Sequence, residues 1–165
     1  DFGLKVAIFF EEQLLGSAGT VLSNRDFVKG EQDFLIIYAD NLTDIDMGKL
    51  VGFHRERGSE FTMGLFHSKR PEECGIAELD ENGRVVRFTE KPGYPEGDLA
   101  NTGIYVSGQG IFDHIPDEPS SDFGFDVLPK LAGKMYGYVI ESYYLDMGTV
   151  AGYEQACRDS SAGRI

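Results

Sequence analysis

Short apolar runs separated by polar turns dominate the chain. Residues 34–38 are five consecutive large apolar or aromatic residues, and they lead through Ala39 into Asp40. A run without a polar face predicts a strand buried on both sides, as in a parallel sheet covered by helices. Ligands bind at the carboxyl ends of strands in such sheets, so Asp40 lies where an open α/β fold places its chemistry.

The same pattern predicts further elements. Strands are expected near residues 4–10, 33–39, 61–67, 75–80, 84–90, 101–107, 136–141 and 143–146. Helices are expected over 46–57, 123–132 and 150–159, with a short one after residues 16–20. Asn82-Gly83 between two strand-like runs predicts a hairpin, so 75–90 is expected to form an antiparallel part of a mixed sheet.

The helix over 46–57 follows from apolar positions at the spacing i, i+3, i+4 and i+7. Asp44 or Asp46 is a natural N-cap and Gly58 a plausible C-cap. His54 falls on the packing face of this helix, where a structural role is favoured over a catalytic one.

A second strand-like run, residues 143–145, ends in Asp146 just before Gly148-Thr149. Asp40 and Asp146 at neighbouring strand ends could together bind one hard divalent cation through oxygen ligands. Asp44-Ile45-Asp46 is an alternative metal motif of the glycosyltransferase type, but helix capping explains it more simply.

Composition and charge narrow the function classes. The 165 residues, 41% of them hydrophobic, suffice for one domain with one core, and no apolar run approaches the ~20 residues of a membrane-spanning helix. The net charge of −13 argues against binding to nucleic acids or anionic membranes. Any phosphate ligand would have to be bound by a local metal ion and a few well-placed cationic side chains. The two isolated cysteines, Cys74 and Cys157, suggest neither a disulfide framework nor a zinc site and favour a reducing cytoplasm.

Three short segments combine small and polar residues in a way that suits ligand binding. Residues 16–20 (GSAGT) allow close approach of a backbone, although a loop that simply needs small residues is the simpler alternative. Glu90-Lys91-Pro92 ends a strand with a cation on a turn fixed by proline, where a surface ion pair is the alternative. Asn101-Thr102-Gly103 opens a strand with two hydrogen-bonding side chains, where an Asx-type turn is equally compatible.

In this order, the segments resemble the sugar-phosphate nucleotidylyltransferases, also called nucleotide-sugar pyrophosphorylases, and most closely the mannose- or heptose-phosphate guanylyltransferase and glucose-1-phosphate thymidylyltransferase types. The matching motifs span nearly the whole chain: residues 11–20, 39–40, 75–80, 83–85, 88–92, 101–105 and 145–149. The resemblance implies a doubly wound α/β fold of the Rossmann-like nucleotidyltransferase type, with a mixed, mostly parallel sheet.

The resemblance also implies a reaction and a set of site residues. The sugar 1-phosphate would attack the α-phosphorus of a nucleoside triphosphate (NTP), giving a nucleotide sugar and pyrophosphate without a covalent enzyme intermediate. The catalytic residues would be Asp40, Lys91 and Asp146, with both aspartates on a magnesium ion and Lys91 on the sugar phosphate. The substrate-binding residues would be Gly16 and Gly19 near the base, and Gly75, Glu90, Asn101 and Thr102 on the sugar side.

Two departures from the family pattern qualify this assignment. Ala39 stands where glycine commonly precedes the metal aspartate, which is a mild change. The Gly-rich, basic loop that grips the triphosphate has no counterpart, because no G-x-G-x-R sequence occurs in residues 1–165. We therefore expect the chain to be a nucleotidyltransferase core domain, N-terminally incomplete, whose first strand and nucleotide-binding loop precede residue 1 and which is inactive by itself.

The nucleotide base and the sugar stay open at this stage, as does the oligomeric state, with a homo-oligomer as one alternative. A non-catalytic nucleotide-sugar-binding or regulatory homologue of the same fold is the second functional hypothesis. A glycosyltransferase is a weaker third, because it leaves Glu90-Lys91-Pro92 and Leu145-Asp146 without a role.

Overall fold

The structure, a computed structural model, describes residues 3–165. The strands are β1 Asp33–Ile37, β2 Asn41–Thr43, β3 Phe61–His67, β4 Gly75–Leu79, β5 Val85–Glu90, β6 Leu99–Gly108, β7 Tyr136–Val139 and β8 Tyr144–Asp146. The helices are α1 Gly16–Ser23, α2 Met47–Glu56, α3 Leu128–Leu131 and α4 Val150–Ser161, and a π-helical turn, Phe123–Val127, leads into α3. No helix in residues 3–165 is both long and apolar enough to cross a bilayer.

The main sheet has the order β5-β4-β6-β3-β7, and β1 adds to β6. This open, mixed sheet with helices confirms the predicted α/β class. Within residues 3–165, β3–β7 is the one parallel pair, so antiparallel pairings predominate in this part of the fold. The 75–90 hairpin is confirmed, since β4 and β5 pair antiparallel around Gly83, whose φ is 79°.

β6 is the central strand, and a bulge interrupts its pairing with β3. Met63 faces Tyr105 and Leu65 faces Asn101, so Gly64 stands opposite the three residues 102–104. Gly103 needs to be glycine here because its φ is +71° and an added Cβ would lie 2.5 Å from the ring of Tyr38.

The bulge also anchors a separate two-stranded ribbon, in which β2 and β8 pair antiparallel and Asn41 faces Asp146. The Nδ2 of Asn41 donates to the Thr102 carbonyl at 2.7 Å, and the Tyr144 hydroxyl donates to the same carbonyl and to Asn41 Oδ1, both at 2.9 Å. Burial and the nearby carboxylates of Asp146 and Asp40 raise the pKa of Tyr144 well above its ordinary value, so this hydroxyl keeps its proton. Asp146 ends a strand, as predicted, but this strand, β8, pairs with β2 alone among the described strands and does not join the main sheet.

The core lies on both faces of the sheet. On one face, the aromatic rings of Phe61, Tyr105 and Phe123 pack together with centroids 5.2 to 6.2 Å apart. On the other face, Leu50 of α2 packs in a cluster with β6 residues, and α2 begins at its predicted cap, since Asp46 Oδ1 accepts from the Lys49 amide at 3.1 Å.

His54 is buried on the sheet-facing side of α2, where its Nδ1 lies 2.9 Å from Thr62 Oγ1. Burial lowers the pKa of His54, so the neutral imidazole is the form favoured in the fold. The buried position of His54 agrees with the structural role that the apolar spacing of α2 predicted.

Two strand predictions are wrong: β1 is not buried on both faces, and residues 4–10 do not form a strand. Leu35 and Ile37 of β1 are 40% and 47% exposed, because both project from the same face of the strand and no described element covers that face. Residues 4–10 form no strand in this structure, and Leu4, Val6, Ile8 and Phe10 are exposed. An apolar run is buried only where a neighbouring element covers it, and none of the described elements covers these side chains.

Replacing Gly103 by alanine tests the bulge. Gly103→Ala combines backbone strain at a positive φ with a collision against Tyr38, so we expect a loss of roughly 2–4 kcal/mol in the free energy of unfolding, measured with urea. Gly52→Ala is the matched control, because a Cβ at Gly52 in α2 meets nothing within 4 Å and should be neutral or stabilise by up to ~1 kcal/mol. Equal stabilities of the two variants would contradict the structural role of Gly103.

Removing one hydroxyl tests the attachment of the ribbon to the sheet. Tyr144→Phe leaves Asn41 Oδ1 without this donor, and we expect a loss of about 1–2 kcal/mol of unfolding free energy. Tyr94→Phe is the control, since Tyr94 is 97% exposed. A loss no larger than that of the control would show that the hydroxyl does not hold the ribbon.

Candidate active site

Three of the residues predicted to bind a sugar lie in one row across adjacent strands. Glu90 of β5 pairs with Gly75 of β4, and β4 pairs with β6 through Ile76 and Ala100. One residue farther along this antiparallel register, Gly75 is beside Asn101, at the start of the bulge. The row therefore places a carboxylate and a carboxamide on either side of a glycine.

The carboxylate of Glu90 is half-buried, and it has no hydrogen bond or ion pair to any residue in the described range 3–165. A Cβ on Gly75 would collide with its Oε2, and a Cβ on Gly124 would lie 2.5 Å from the same oxygen. Burial raises the pKa of Glu90; the Lys91 ammonium opposes this rise and the Asp122 carboxylate adds to it. A desolvated carboxylate without a partner is an acceptor ready for a ligand hydroxyl.

Lys91 follows in a strained backbone conformation. It is the one non-glycine residue with a positive φ in the described chain, at 44°, and its amide donates to the Cys74 carbonyl at 3.0 Å. The side chain is exposed beside Glu90, and Pro92 follows directly. Strain of this kind, at roughly 1–3 kcal/mol, persists where the surrounding structure fixes the turn, and it is frequent at functional sites.

Asn101 is held by two hydrogen bonds that leave part of its amide free for a ligand. Its Oδ1 accepts from the Gly103 amide at 3.0 Å, and its Nδ2 donates to the Tyr105 hydroxyl at 2.7 Å. Burial raises the pKa of Tyr105 well above its ordinary range, so this phenol stays protonated. Each hydrogen-bonding atom of the carboxamide can make one further bond.

Thr102 was predicted to bind substrate; this stays a prediction, and its side chain is already bonded within the protein. Thr102 is 2% exposed, and its Oγ1 donates to the Gly64 carbonyl at 2.9 Å and accepts from the Ile104 amide at 3.2 Å. Its polar atoms hold the bulge together. A sequence pattern of hydrogen-bonding side chains at a strand start does not distinguish these two uses.

The backbone of the Gly16–Gly19 segment packs closely against another segment of this protein, around Ser121. The amides of Ala18 and Gly19 donate to the Ser121 carbonyl at 3.0 and 3.1 Å, and a Cβ on Gly16 would collide with that carbonyl. These two amides at the start of α1 are thus already bonded within the protein. The predicted proximity of Gly16 and Gly19 to a base remains a prediction, which would have to use the other side of the loop.

Asp122 is a residue of this region that sequence reasoning missed. Its Oδ2 accepts from the Ser17 hydroxyl at 2.7 Å, and its Oδ1 accepts from the Gly124 amide at 2.7 Å. The Phe123 amide in turn donates to Ser17 Oγ at 2.9 Å. An aspartate just before a helical segment is a capping signal that the sequence did offer, but its contact with Ser17 depends on the fold.

Asp40 and Asp146 come together although neither ends a strand of a parallel sheet. Asp40 follows β1 in the turn to β2, Asp146 ends β8, and the Met147 amide donates to the Asp40 carbonyl at 2.8 Å. A Cβ on Gly148 would lie 2.6 Å from Asp40 Oδ2 and 3.1 Å from Asp146 Oδ1, so the two oxygens are no farther apart than the sum of these distances. Both side chains are exposed.

This pair of carboxylates forms a cradle that fits a small, hard cation with water in its remaining positions. In the part of the chain that the structure describes, no cluster of three or more histidine, cysteine, aspartate or glutamate side chains suits a metal. A fully protein-ligated site is therefore not formed by residues 3–165, whereas two carboxylates are the ligand number that Mg²⁺ typically takes from protein at phosphate-handling sites.

Comparison with known proteins agrees with the geometry. The family model described as Nucleotidyl transferase matches residues 1–162. The chain is 31% identical over 165 residues to mannose-1-phosphate guanylyltransferase of Mycobacterium tuberculosis, covering 98% of this chain and 46% of that protein. It is 32% identical over 176 residues to UTP–glucose-1-phosphate uridylyltransferase of Synechocystis, covering 95% and 45%. The chain thus spans about half the length of these curated relatives.

Solved structures show the same fold. A putative glucose-1-phosphate thymidylyltransferase from Bacillus anthracis, in complex with sucrose, superposes with a TM-score of 0.80 at 22% identity, covering 94% of this chain and 65% of that one. The sheet order, the shared fold and the match over nearly the full length lead to one conclusion: this chain belongs to the nucleotidyl transferase family.

Proposed function

We propose that the full-length protein transfers a nucleotidyl group from an NTP to a sugar 1-phosphate, releasing pyrophosphate. The observation that supports this most directly is the row of Glu90, Gly75 and Asn101 beside Lys91, in a chain of this family. The relatives named above act on mannose 1-phosphate and glucose 1-phosphate, which supports a hexose 1-phosphate as the acceptor.

The proposed roles follow from the chemistry of each side chain. Glu90 accepts hydrogen bonds from sugar hydroxyls, since it is half-buried and has no protein donor. Asn101 can both donate to and accept from the sugar. Lys91 meets the sugar phosphate as a point charge on a fixed turn, which holds the attacking phosphate oxygen against the α-phosphorus of the NTP. Gly16 and Gly19 are proposed to lie near the base.

We further propose that Asp40 and Asp146 hold a magnesium ion. The cradle at Gly148 supports this, because the absence of a Cβ there leaves room between two carboxylate oxygens. When bound, such a cation neutralises phosphate charge and stabilises the charge that develops at the α-phosphorus. Asp40 and Asp146 would supply its oxygen ligands.

The remaining part of the nucleotide site is proposed to lie outside this chain. The open edge of β1 can pair with a further strand, and a further element packed on the same face could cover the exposed Leu35 and Ile37. Few cations in the described site face a triphosphate, and loss of even one donor at the reacting phosphate typically costs ~10²–10³ in rate. Residues 1–165 alone are therefore expected to be inactive, and the free thiols of Cys74 and Cys157 support a reducing compartment such as the cytoplasm.

The test is a screen for pyrophosphate release, in which the full-length protein meets each NTP with each hexose 1-phosphate in the presence of Mg²⁺. Release with one pair of substrates, and none from the 165-residue chain, is the expected outcome. A protein that binds a nucleotide sugar but releases no pyrophosphate with any pair would instead be the non-catalytic homologue.

Neutralising either aspartate tests the cation site. Asp40→Asn and Asp146→Asn should each weaken Mn²⁺ or Mg²⁺ binding in calorimetry by at least the ~10–100-fold that loss of an outer-shell partner costs, because each removes one of two charged ligands. Asp44→Asn is the control, since Asp44 is exposed nearby and outside the cradle. Unchanged affinity in the first two variants would rule out this site.

Removing the ammonium of Lys91 tests the phosphate contact. Lys91→Ala should reduce use of the sugar 1-phosphate by about 10- to 200-fold, the loss of a charge-assisted contact of roughly 1.5–3 kcal/mol. The KM for the NTP should change much less, and Lys49→Ala on the exposed face of α2 should change neither. Equal losses for both substrates would show that the role of Lys91 is misassigned.

A further inference from the structure

The segment Asp122–Gly124 touches two parts of the candidate site that are far apart in sequence. At one end, Asp122 and Phe123 bond to the hydroxyl of Ser17, next to the Gly16–Gly19 segment. At the other end, Gly124 lies against the carboxylate of Glu90. Residues 122–124 themselves belong to no motif by which the sequence suggested a function.

Gly124 is buried, and the side-chain space that it leaves empty is filled by Glu90. A Cβ at Gly124 would lie 2.5 Å from Glu90 Oε2, 2.7 Å from Glu90 Cδ and 3.1 Å from Asp122 Oδ1. On the opposite side, a Cβ at Gly75 would collide with the same Oε2. The carboxylate therefore lies in a slot between the backbones of Gly75 and Gly124, which we call the Glu90 slot.

The backbone of Gly124 does not itself require glycine, because its φ is outside the left-handed region. Glycine also costs roughly 0.5–1 kcal/mol relative to alanine in a helical segment. Glycine is found in the π-helical turn because a larger residue at position 124 would need the space that the side chains of Glu90 and Asp122 occupy. The Asp122 carboxylate fixes this turn, since Oδ1 accepts from the Gly124 amide while Oδ2 accepts from Ser17.

We propose that Gly124 is a positioning residue that sets the place of the Glu90 carboxylate, and through it the affinity of the site for the sugar 1-phosphate. This inference rests on the proposed function, in which Glu90 binds the sugar. A side chain at position 124 pushes the carboxylate out of the Glu90 slot, away from the row that it forms with Gly75 and Asn101. The NTP site should be affected much less, because the added Cβ would lie 2.5 Å from Glu90 Oε2 but 3.1 Å from Asp122 Oδ1, whose carboxylate also bonds to Ser17.

The test is a double-mutant cycle in the full-length enzyme, with KM measured separately for the sugar 1-phosphate and the NTP. Gly124→Ala should raise the KM for the sugar 1-phosphate by about 10- to 100-fold, as for loss of a hydrogen bond to a charged group, with a much smaller change in the KM for the NTP. In the Glu90→Asp background the same change should have little further effect, because the shorter side chain no longer reaches the slot. Gly110→Ala is the matched control, since a Cβ there meets nothing within 4 Å.

The outcomes separate this inference from the proposed function. An unchanged KM for the sugar 1-phosphate, or equal rises for both substrates in both backgrounds, would overturn the role of Gly124. If Gly124→Ala alone fails to fold, folding of the double variant with Glu90→Asp would support the collision, and its failure to fold would overturn it.

If the wild-type protein releases no pyrophosphate at all, the proposed function fails, and carboxyl NMR still decides the structural claim. The pKa of Glu90 should then fall toward its ordinary value in Gly124→Ala, because the displaced carboxylate becomes solvated, and it should not move in Gly110→Ala. An unchanged titration in Gly124→Ala would show that Gly124 does not place Glu90.

Discussion

The hydrogen bond from Thr102 Oγ1 to the Gly64 carbonyl closes the bulge at which three residues of β6 face one residue of β3. Because the strand turns here, the Thr102 carbonyl is presented to Asn41 and Tyr144, which attach the ribbon that contains Asp40 and Asp146. Asn101 stands at the other end of the same bulge, in the row with Glu90. The proposed metal and sugar halves of the site are thus positioned by opposite sides of one irregularity in the central strand.

Local patterns predicted the elements whose formation depends on nearby residues. The hairpin around Gly83 follows from turn chemistry, and α2 follows from its apolar spacing and the Asp46 cap, so both needed no knowledge of the fold. The burial of β1 was predicted wrongly, because Leu35 and Ile37 are buried only if another element covers the face of the sheet from which they project. An apolar run shows that a strand is compatible with burial on both faces. It does not show whether another element packs against either face.

The same distinction between local patterns and contacts of distant segments applies to the site residues. The closeness of Asp40 and Asp146 could be predicted because each follows a strand-like apolar run, whereas their role at a metal stays a proposal. The bulge-closing role of Thr102 was not predicted, because a hydroxyl that closes a bulge and a hydroxyl that binds a ligand look the same in sequence. Gly124 was missed because its reason is a collision with Glu90, and such a contact between distant segments exists only after the sheet and the π-helical turn have packed.

The unpartnered carboxylate of Glu90 has an energetic cost that indicates its use. Since burial raises its pKa, the folded chain binds this proton more readily than the unfolded chain does. The cost to stability is therefore absent below the ordinary carboxyl pKa, and it grows as the pH rises through the raised pKa of the folded state. Near neutral pH the fold keeps a half-buried carboxylate that accepts no hydrogen bond from the described residues 3–165. Under the proposed function, sugar hydroxyls supply hydrogen-bond donors to it, so part of the binding energy comes from relieving a desolvation cost that folding has already incurred.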